Sequence, residues 1–245
     1  MARKTALIIA HRGASAVAPE STRAAIREAA RSGAQMIELD VQMTRDGRLI
    51  IFHDDRLERT TDGSGWARRR AYAHLARLDA GAWFNPRFAG ERILLVSQAL
   101  RLIPRRMRVN LELKPAAHHQ TLLRRLRGIA RRARLGRRLL VSSGDPALLQ
   151  RLVPSRVGTA LICHRRPDRS LQQAIHLRCV AWHPWHPLVN PRRLREAHAA
   201  GLRVHAWTVD NLRRARRLVG WGIDGLFTNH PARLSEALRR GASHG

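Results

Sequence analysis

The sequence predicts a (β/α)₈ barrel, and three observations carry that prediction. Its 245 residues suit one such barrel and exceed most other single domains. Short apolar runs alternate along the chain with amphipathic, arginine-rich stretches, the pattern of repeated βαβ units around a parallel sheet. No Gly-x-Gly-x-x-Gly turn follows the first apolar run, which favours a closed TIM barrel over an open, doubly wound sheet. The whole chain, 1–245, reads as one barrel domain with a small insertion at about 55–91, after the second strand region.

The elements follow in order. Residues 5–10 form a buried apolar strand. A helix over 21–31 is entered through Pro19-Glu20-Ser21-Thr22, with a hydroxyl side chain as cap. Strands over 35–41 and 48–52 flank the turn signal Asp46-Gly47. Residues 55–91 lack a clean period and are rich in Gly, Trp, Asn and Pro, so they read as a long loop with short helices. A helix over 96–103 precedes a strand over 108–113, ended by Pro115. The second half is more regular. Helices over 120–134, 146–152, 170–176, 191–200, 212–219 and 231–239 alternate with strands over 138–142, 158–162, 179–182, 203–208 and 225–228. The helix over 191–200 has Pro191 in its first turn and Gly201 at its end.

Composition narrows the function. Hydrophobic residues make up 44% and charged residues 26%, an ordinary globular balance, and the length is ample for a sizeable core. Charge is not ordinary: Lys and Arg number 46 against 18 Asp and Glu, a net +28. Such a charge attracts anions. The arginines are nevertheless spread along the chain rather than gathered in one arm, as on a solvated surface. A specific nucleic-acid partner is therefore not expected, and a weak association with anionic membrane surfaces is the one macromolecular contact the charge suggests. Lysine occurs only at Lys4 and Lys114, so Lys114 marks a place where a compact ammonium is wanted. Cys163 and Cys179 cannot make a disulfide framework and fit a reducing compartment. The first residues lack a signal-peptide core, and no apolar run approaches the roughly 18 residues a membrane span needs. The expectation is a soluble cytoplasmic protein, with no oligomeric state implied.

In a barrel of this type the site lies at the C-terminal ends of the strands, so the polar residues there matter most. His11 and Arg12 follow the first strand. Glu38 and Asp40 occupy alternate positions near the end of the second, and alternate positions on a strand share one face. His53 and Asp54 follow the next strand, and Glu112 and Lys114 repeat the alternate spacing in the fourth. A lone carboxylate pair is often a surface ion pair, and a lone histidine is often a packed side chain. Here, however, nearly every strand end of the first half is chemically loaded. Oxygen ligands without cysteine suit a hard cation, Mg²⁺ or Ca²⁺. Such an ion, with Arg12 and Lys114, can neutralise a phosphodiester, and two histidines can serve as acid and base on opposite sides of phosphorus.

These residues sit in recognisable motifs. His11-Arg12-Gly13-Ala14, Pro19-Glu20-Ser21-Thr22, the run from Ile37 to Gly47, His53-Asp54 and Arg59-Thr60-Thr61-Asp62-Gly63 together resemble the signature of the glycerophosphodiester phosphodiesterase family. Glu112-Leu113-Lys114, Trp207-Thr208-Val209-Asp210 and Asp224-Gly225-Leu226-Phe227-Thr228 are similar to its later motifs, and the resemblance spans almost the whole chain in order. It implies His11 and His53 as the acid–base pair and Glu38, Asp40 and Glu112 as ligands of one divalent cation. It also implies Arg12 and Lys114 as phosphoryl-binding residues, Glu20 as a supporting acid and Trp207 as an aromatic at the substrate pocket. The implied reaction is metal-dependent hydrolysis of a small-molecule glycerophosphodiester to sn-glycerol 3-phosphate and an alcohol.

Three departures touch the pocket rim rather than the proposed centre. The usual Glu-Asn-Thr is Glu20-Ser21-Thr22, the usual Pro-Thr-Leu-Glu is Leu95-Val96-Ser97-Gln98, and the usual Thr-Asp is Thr228-Asn229. The stretch Trp182-His183-Pro184-Trp185-His186-Pro187 either lines the pocket or packs as a proline-held loop. The rival enzyme reading is a phospholipase D-like or cyclising phosphodiesterase acting on lysophospholipids. A nucleic-acid binder with a decayed site has only the net charge in its favour.

Overall fold

The computed structural model describes residues 6–115, 119–152 and 157–242. They contain nine strands: β1 (Leu7–Ala10), β2 (Met36–Met43), β3 (Leu49–Ile51), β4 (Arg108–Leu113), β5 (Leu139–Ser143), β6 (Gly158–Cys163), β7 (Ala181–Pro184), β8 (Arg203–Ala206) and β9 (Gly225–Thr228). Eight of them pair in parallel in the order β1-β2-β4-β5-β6-β7-β8-β9. Since β9 also pairs with β1, the sheet closes into the TIM barrel the sequence predicts. The exception is β3, which folds back antiparallel on β2 with Val41 opposite Ile51 and Met43 opposite Leu49. The Asp46-Gly47 turn makes a hairpin there, so the strand predicted over 48–52 is no barrel stave.

Alternation along the strands sorts side chains into two cores. Ile9, Met36, Leu140, Ala160, Ala181 and Phe227 fill the barrel interior. Their chain neighbours Ile8, Ile37, Leu39, Val141, Leu161, Trp182 and Leu226 face outward into the layer shared with the helices. Parallel staves covered on both faces in this way need near-continuous apolar runs, as the sequence has.

The helices are α1 (Arg23–Arg31), α2 (Tyr72–Leu75), α3 (Val96–Leu102), α4 (His119–Arg132), α5 (Pro146–Gln150), α6 (Pro167–His176), α7 (Pro191–Ala199), α8 (Leu212–Gly220) and α9 (Pro231–Ala242). Thr22 caps α1, its hydroxyl accepting from Ala25 N, and the helix buries Ala25, Ile26 and Ala29. In α8 only Ala215 and Leu218 are buried, and its arginines lie on the other faces, so much of the positive charge sits on the outer helix layer. α6 begins three residues before its predicted start because Pro167 is accepted at a first helical position. β7 runs two residues later than predicted. The segment over 55–91 is the expected insertion: α2 and short 3₁₀ turns around a small core of Phe52, Leu57, Ala67, Leu75 and Ile93. No helix among the described residues is long and apolar enough to cross a membrane.

Candidate active site

The alternation that buries apolar side chains also delivers carboxylates to the barrel mouth. On β2, Glu38 and Asp40 point inward, and in the parallel register with β4 they stand opposite Asn110 and Glu112. One carboxylate oxygen from each of Glu38, Asp40 and Glu112 lies within 4.8 Å of the others. Glu38 and Asp40 are almost wholly buried, at 2% and 1% exposure. Burial and the neighbouring Asp40 and Glu112 charges hold the Glu38 carboxyl well above its usual range, and Glu112 is raised by burial and Asp40. Burial pushes Asp40 the same way, but Lys114 and Arg12 outweigh it and keep Asp40 ionised.

Several lone pairs in this cluster remain open. Glu38 Oε2 accepts from Arg12 N at 2.9 Å while Oε1, fully buried, has no partner. Asp40 Oδ1 lies 2.8 Å from Lys114 Nζ, while Oδ2 has only a long 3.3 Å approach from Arg12 Nε. Three carboxylates this close, with buried oxygens left over, fit a hard divalent cation. Lys114 bonds both Asp40 and Glu112, and their charges raise its ammonium above the ordinary lysine range against the pull of burial.

The two histidines are each held by Nδ1, which leaves Nε2 for chemistry. His11 Nδ1 lies 2.8 Å from Asn229 Oδ1. The amide is itself fixed: its Nδ2 donates to Asp210 Oδ2 at 2.7 Å and its backbone N–H to Asp210 Oδ1 at 2.8 Å. Burial first, and Arg12 second, lower His11 to about 4. His53 extends from the loop after β3, with Nδ1 2.5 Å from Asp54 Oδ1. Burial raises Asp54, but hydrogen bonds from Arg59 and His53 prevail and lower it to about 2.

Arg59, on the insertion, fastens the two sides of the mouth. It bonds Asp54, and it reaches Glu20 in a fork, Nη1 to Oε2 at 2.9 Å and Nη2 to Oε1 at 2.7 Å. Glu20 also accepts from Arg12 Nη1 at 3.0 Å. The loop that aims His11 and Arg12 needs left-handed backbone, with φ of 54° at Arg12 and 87° at Gly13. A Cβ on Gly13 would lie 2.8 Å from Ala25 on α1, so glycine is required by close approach as well as by φ.

His11, Arg12, Glu38, His53, Glu112, Lys114 and Trp207 line one cavity of about 70 Å³. Asp40 joins it through the carboxylate cluster, and Glu20 stands behind Arg12. All nine residues singled out by sequence are thus brought together. Sequence reasoning missed Asn110, Ser142, His164 and Phe227, which also line this cavity, and Asn229 behind His11; His183, in a stretch read as either pocket wall or packed loop, lines it too. Asn110 was legible in part, since it shares the strand parity of Glu112 and Lys114. Of the Trp182–Pro187 stretch, Trp182 is packed in the outer layer, His183 faces the cavity and Trp185 is exposed. Trp207 donates from Nε1 to His183 O at 2.8 Å and meets the His164 ring edge-on. A larger cavity of about 860 Å³, beside the β2–β3 hairpin and α4, contains none of the converging residues.

Comparison with known proteins agrees with this geometry. The model of the "Glycerophosphoryl diester phosphodiesterase family" matches residues 11–233. A glycerophosphodiester phosphodiesterase of Caldanaerobacter subterraneus subsp. tengcongensis is 31% identical over 241 residues, covering 96% of this chain and 98% of the relative. One of Bacillus subtilis is 30% identical over 246 residues, covering 92% and 84%. Among solved structures, a phosphodiesterase from Oleispira antarctica in complex with the product sn-glycerol-3-phosphate superposes with a TM-score of 0.91 at 30% identity, covering 95% of this chain and 96% of that one.

Proposed function

The chain belongs to the glycerophosphoryl diester phosphodiesterase family, and on that premise we propose that it hydrolyses glycerophosphodiesters to sn-glycerol 3-phosphate and an alcohol, using one divalent cation, Mg²⁺ or Ca²⁺, and two histidines. The observation that carries the reading is the buried triad Glu38, Asp40 and Glu112 at the mouth of the barrel, in one cavity with His11, His53, Arg12 and Lys114.

Glu38, Asp40 and Glu112 are the residues that would hold the cation, which supplies Lewis-acid neutralisation of the phosphoryl charge when bound. Arg12 and Lys114 add fixed positive charge at the same place. The guanidinium is oriented by Glu20 and the ammonium by Asp40, so neither has to reorganise as charge grows on the phosphoryl oxygens.

His11 takes the proton from the attacking water. Burial and Arg12 keep it neutral at working pH, and its Nδ1–H donates to Asn229 Oδ1, so the lone pair is on Nε2. His53 gives its proton to the leaving alkoxide. The Asp54 carboxylate at Nδ1 fixes the tautomer and orientation of that ring, and Arg59 fixes the carboxylate. Trp207 forms an aromatic wall of the pocket, braced by its bond to His183 O.

The test is a coupled assay for glycerol 3-phosphate on glycerophosphocholine and related diesters, before and after chelation. Activity that chelation abolishes, and that Mg²⁺ or Ca²⁺ restores, supports the proposal. Turnover untouched by chelation removes the cation from it, and a cyclic phosphate product would replace hydrolysis with the cyclising reaction.

A further inference from the structure

Four arginines line the cleft of about 860 Å³ beside the acidic mouth: Arg45 from the β2–β3 turn, Arg68 and Arg69 from the insertion and Arg125 from α4. On a convex helix surface water screens such charges, but in a concave cleft charges of one sign reinforce each other's field. Two carboxylates stand against them, Asp46 and Asp55, so with all six ionised the cleft carries +2. Asp46 is already engaged, since its Oδ1 accepts from the Thr44 hydroxyl at 2.6 Å and from Tyr72 N at 3.0 Å. Asp55 meets Arg68 at 3.4 Å. The guanidiniums of Arg45, Arg69 and Arg125 make no hydrogen bond or ion pair with any described residue. Two features hold the cationic groups ready. Trp66 carries Arg68 over its ring at 4.4 Å and Arg69 at 5.9 Å. Arg125 extends over Gly47, where a Cβ would lie 3.0 Å from its Nη2, so the glycine of the turn leaves it room.

The cleft adjoins the proposed centre at three places. Gln42 is the next inward position after Asp40 on β2, Asp55 follows Asp54, and Pro115 follows Lys114; all three line the cleft. Gln42 also ties this rim together, its Nε2 donating to His53 O at 3.1 Å and to Asp54 O at 2.7 Å. The step from Asp40 to Gln42 is about 6.6 Å along the strand, so a small polyol is long enough to lead from the centre into the cleft. A phosphate monoester carries about −1.5 to −2 at neutral pH, which matches the local surplus, and its three oxygens suit guanidiniums approaching from opposite walls. A cationic arm such as choline would be repelled there, and an uncharged one would gain nothing from the arginines.

We propose that this cleft is a second anion site, which binds a phosphate monoester on the alcohol arm, so that the enzyme prefers glycerophosphodiesters of a phosphorylated alcohol. The inference rests on the proposed function and names a substrate class within it.

Glycerophosphoinositol and glycerophosphoinositol 4-phosphate test it, since they differ by one phosphate monoester; glycerophosphocholine serves as the cationic-arm reference. At low ionic strength the wild type should turn over the 4-phosphate with about tenfold higher kcat/KM than the plain inositol ester, the worth of one charge-assisted hydrogen bond. The preference should shrink at about 0.5 M salt, where screening acts over shorter distances. Arg69→Gln combined with Arg125→Gln should bring the ratio close to one and leave glycerophosphocholine turnover unchanged. Arg213→Gln combined with Arg216→Gln, both exposed on α8, removes the same net charge and should keep the ratio. A wild-type ratio near or below one overturns the inference, while turnover of glycerophosphocholine still upholds the proposed function. A ratio unchanged in the cleft variant overturns it, as does one lost equally in both double variants, which reports net charge alone. So does a cleft variant that loses glycerophosphocholine turnover in step, since its arginines would then serve the centre. A wild type that hydrolyses none of the three esters defeats the proposed function itself, and the inference with it.

Discussion

Replacing Glu38 by glutamine should act in opposite directions on the cation-free and the cation-loaded protein. Glu38 is buried among like charges, and its carboxyl is held well above the usual range by burial, Asp40 and Glu112. An acid whose pKa is raised by folding favours the protonated folded state. Its stability is complete below the unfolded value, about 4.3, and is eroded as pH rises through the folded one. At about pH 7 the lone cluster is therefore under strain. Glutamine keeps an oxygen for Arg12 N and deletes a charge, so cation-free Glu38→Gln should melt at or above wild type. Cation reverses the order. A ligand at 100 times its Kd stabilises the folded state by about 2.7 kcal/mol. For a chain of this length each kcal/mol moves the midpoint by about 2–4 °C, so wild type should rise by roughly 5–10 °C. The variant should lose most of that rise. Differential scanning fluorimetry with and without Mg²⁺ or Ca²⁺ reads both arms, with no dependence on activity. Equal rises in the two proteins would refute the reasoning. So would a cation-free variant that melts several degrees below wild type, since Glu38 would then serve mainly as an acceptor for Arg12.

Other outcomes follow from the same geometry. His11→Ala and His53→Ala should each lower kcat by about 10²–10⁴ with unchanged melting, and near-normal turnover of either purified variant removes that residue from the acid–base pair. Cation affinity should fall as pH drops from neutrality, because Glu38 and Glu112 take up protons that the cation must displace. Calorimetry in buffers of different ionisation heat should then show proton release, and buffer-independent heats would contradict it. Arg59→Ala unties Asp54 from Glu20 and should lower kcat more than it raises KM, whereas a change confined to KM would place Arg59 on the substrate instead. Ser21 is buried at a φ of 63° with its hydroxyl unpartnered, so Ser21→Gly should raise the midpoint by about 2–4 °C, roughly 1 kcal/mol. An unchanged or lower midpoint would mean that the Ser21 side chain contributes packing that glycine loses.

The fold was legible because βαβ repetition is a long-range pattern that survives errors at individual boundaries. The strand over 48–52 has the same apolar signature whether it joins the barrel or folds back on β2, and the Asp46-Gly47 turn between it and the preceding strand is the local sign of the hairpin. The carboxylates were legible because strand parity fixes their direction, so Glu38, Asp40 and Glu112 could be assigned to the mouth from spacing alone. Asn229 was read as a departure at the pocket rim, whereas the structure places it on His11 Nδ1, within the proposed centre. Its bond to His11 spans 218 positions, and no local pattern reports a contact at that distance. Arg59 was quoted within a motif but given no task, since its fork to Glu20 depends on how the insertion folds across the mouth. Asn110 lay in plain view at the right parity but was passed over for want of a charge.

The net charge of +28 and the chemistry of the site point in different directions, and the structure reconciles them. Around the cavity stand three cationic side chains, Arg12, Arg59 and Lys114, and five carboxylates, Glu20, Glu38, Asp40, Asp54 and Glu112. With all of them ionised, the mouth carries −2 inside a strongly basic molecule. A phosphodiester anion drawn in by the outer field would meet repulsion at the last step unless that deficit were filled. A single divalent cation at Glu38, Asp40 and Glu112, as proposed, would fill it and leave the fixed guanidinium and ammonium groups free to act on the phosphoryl oxygens.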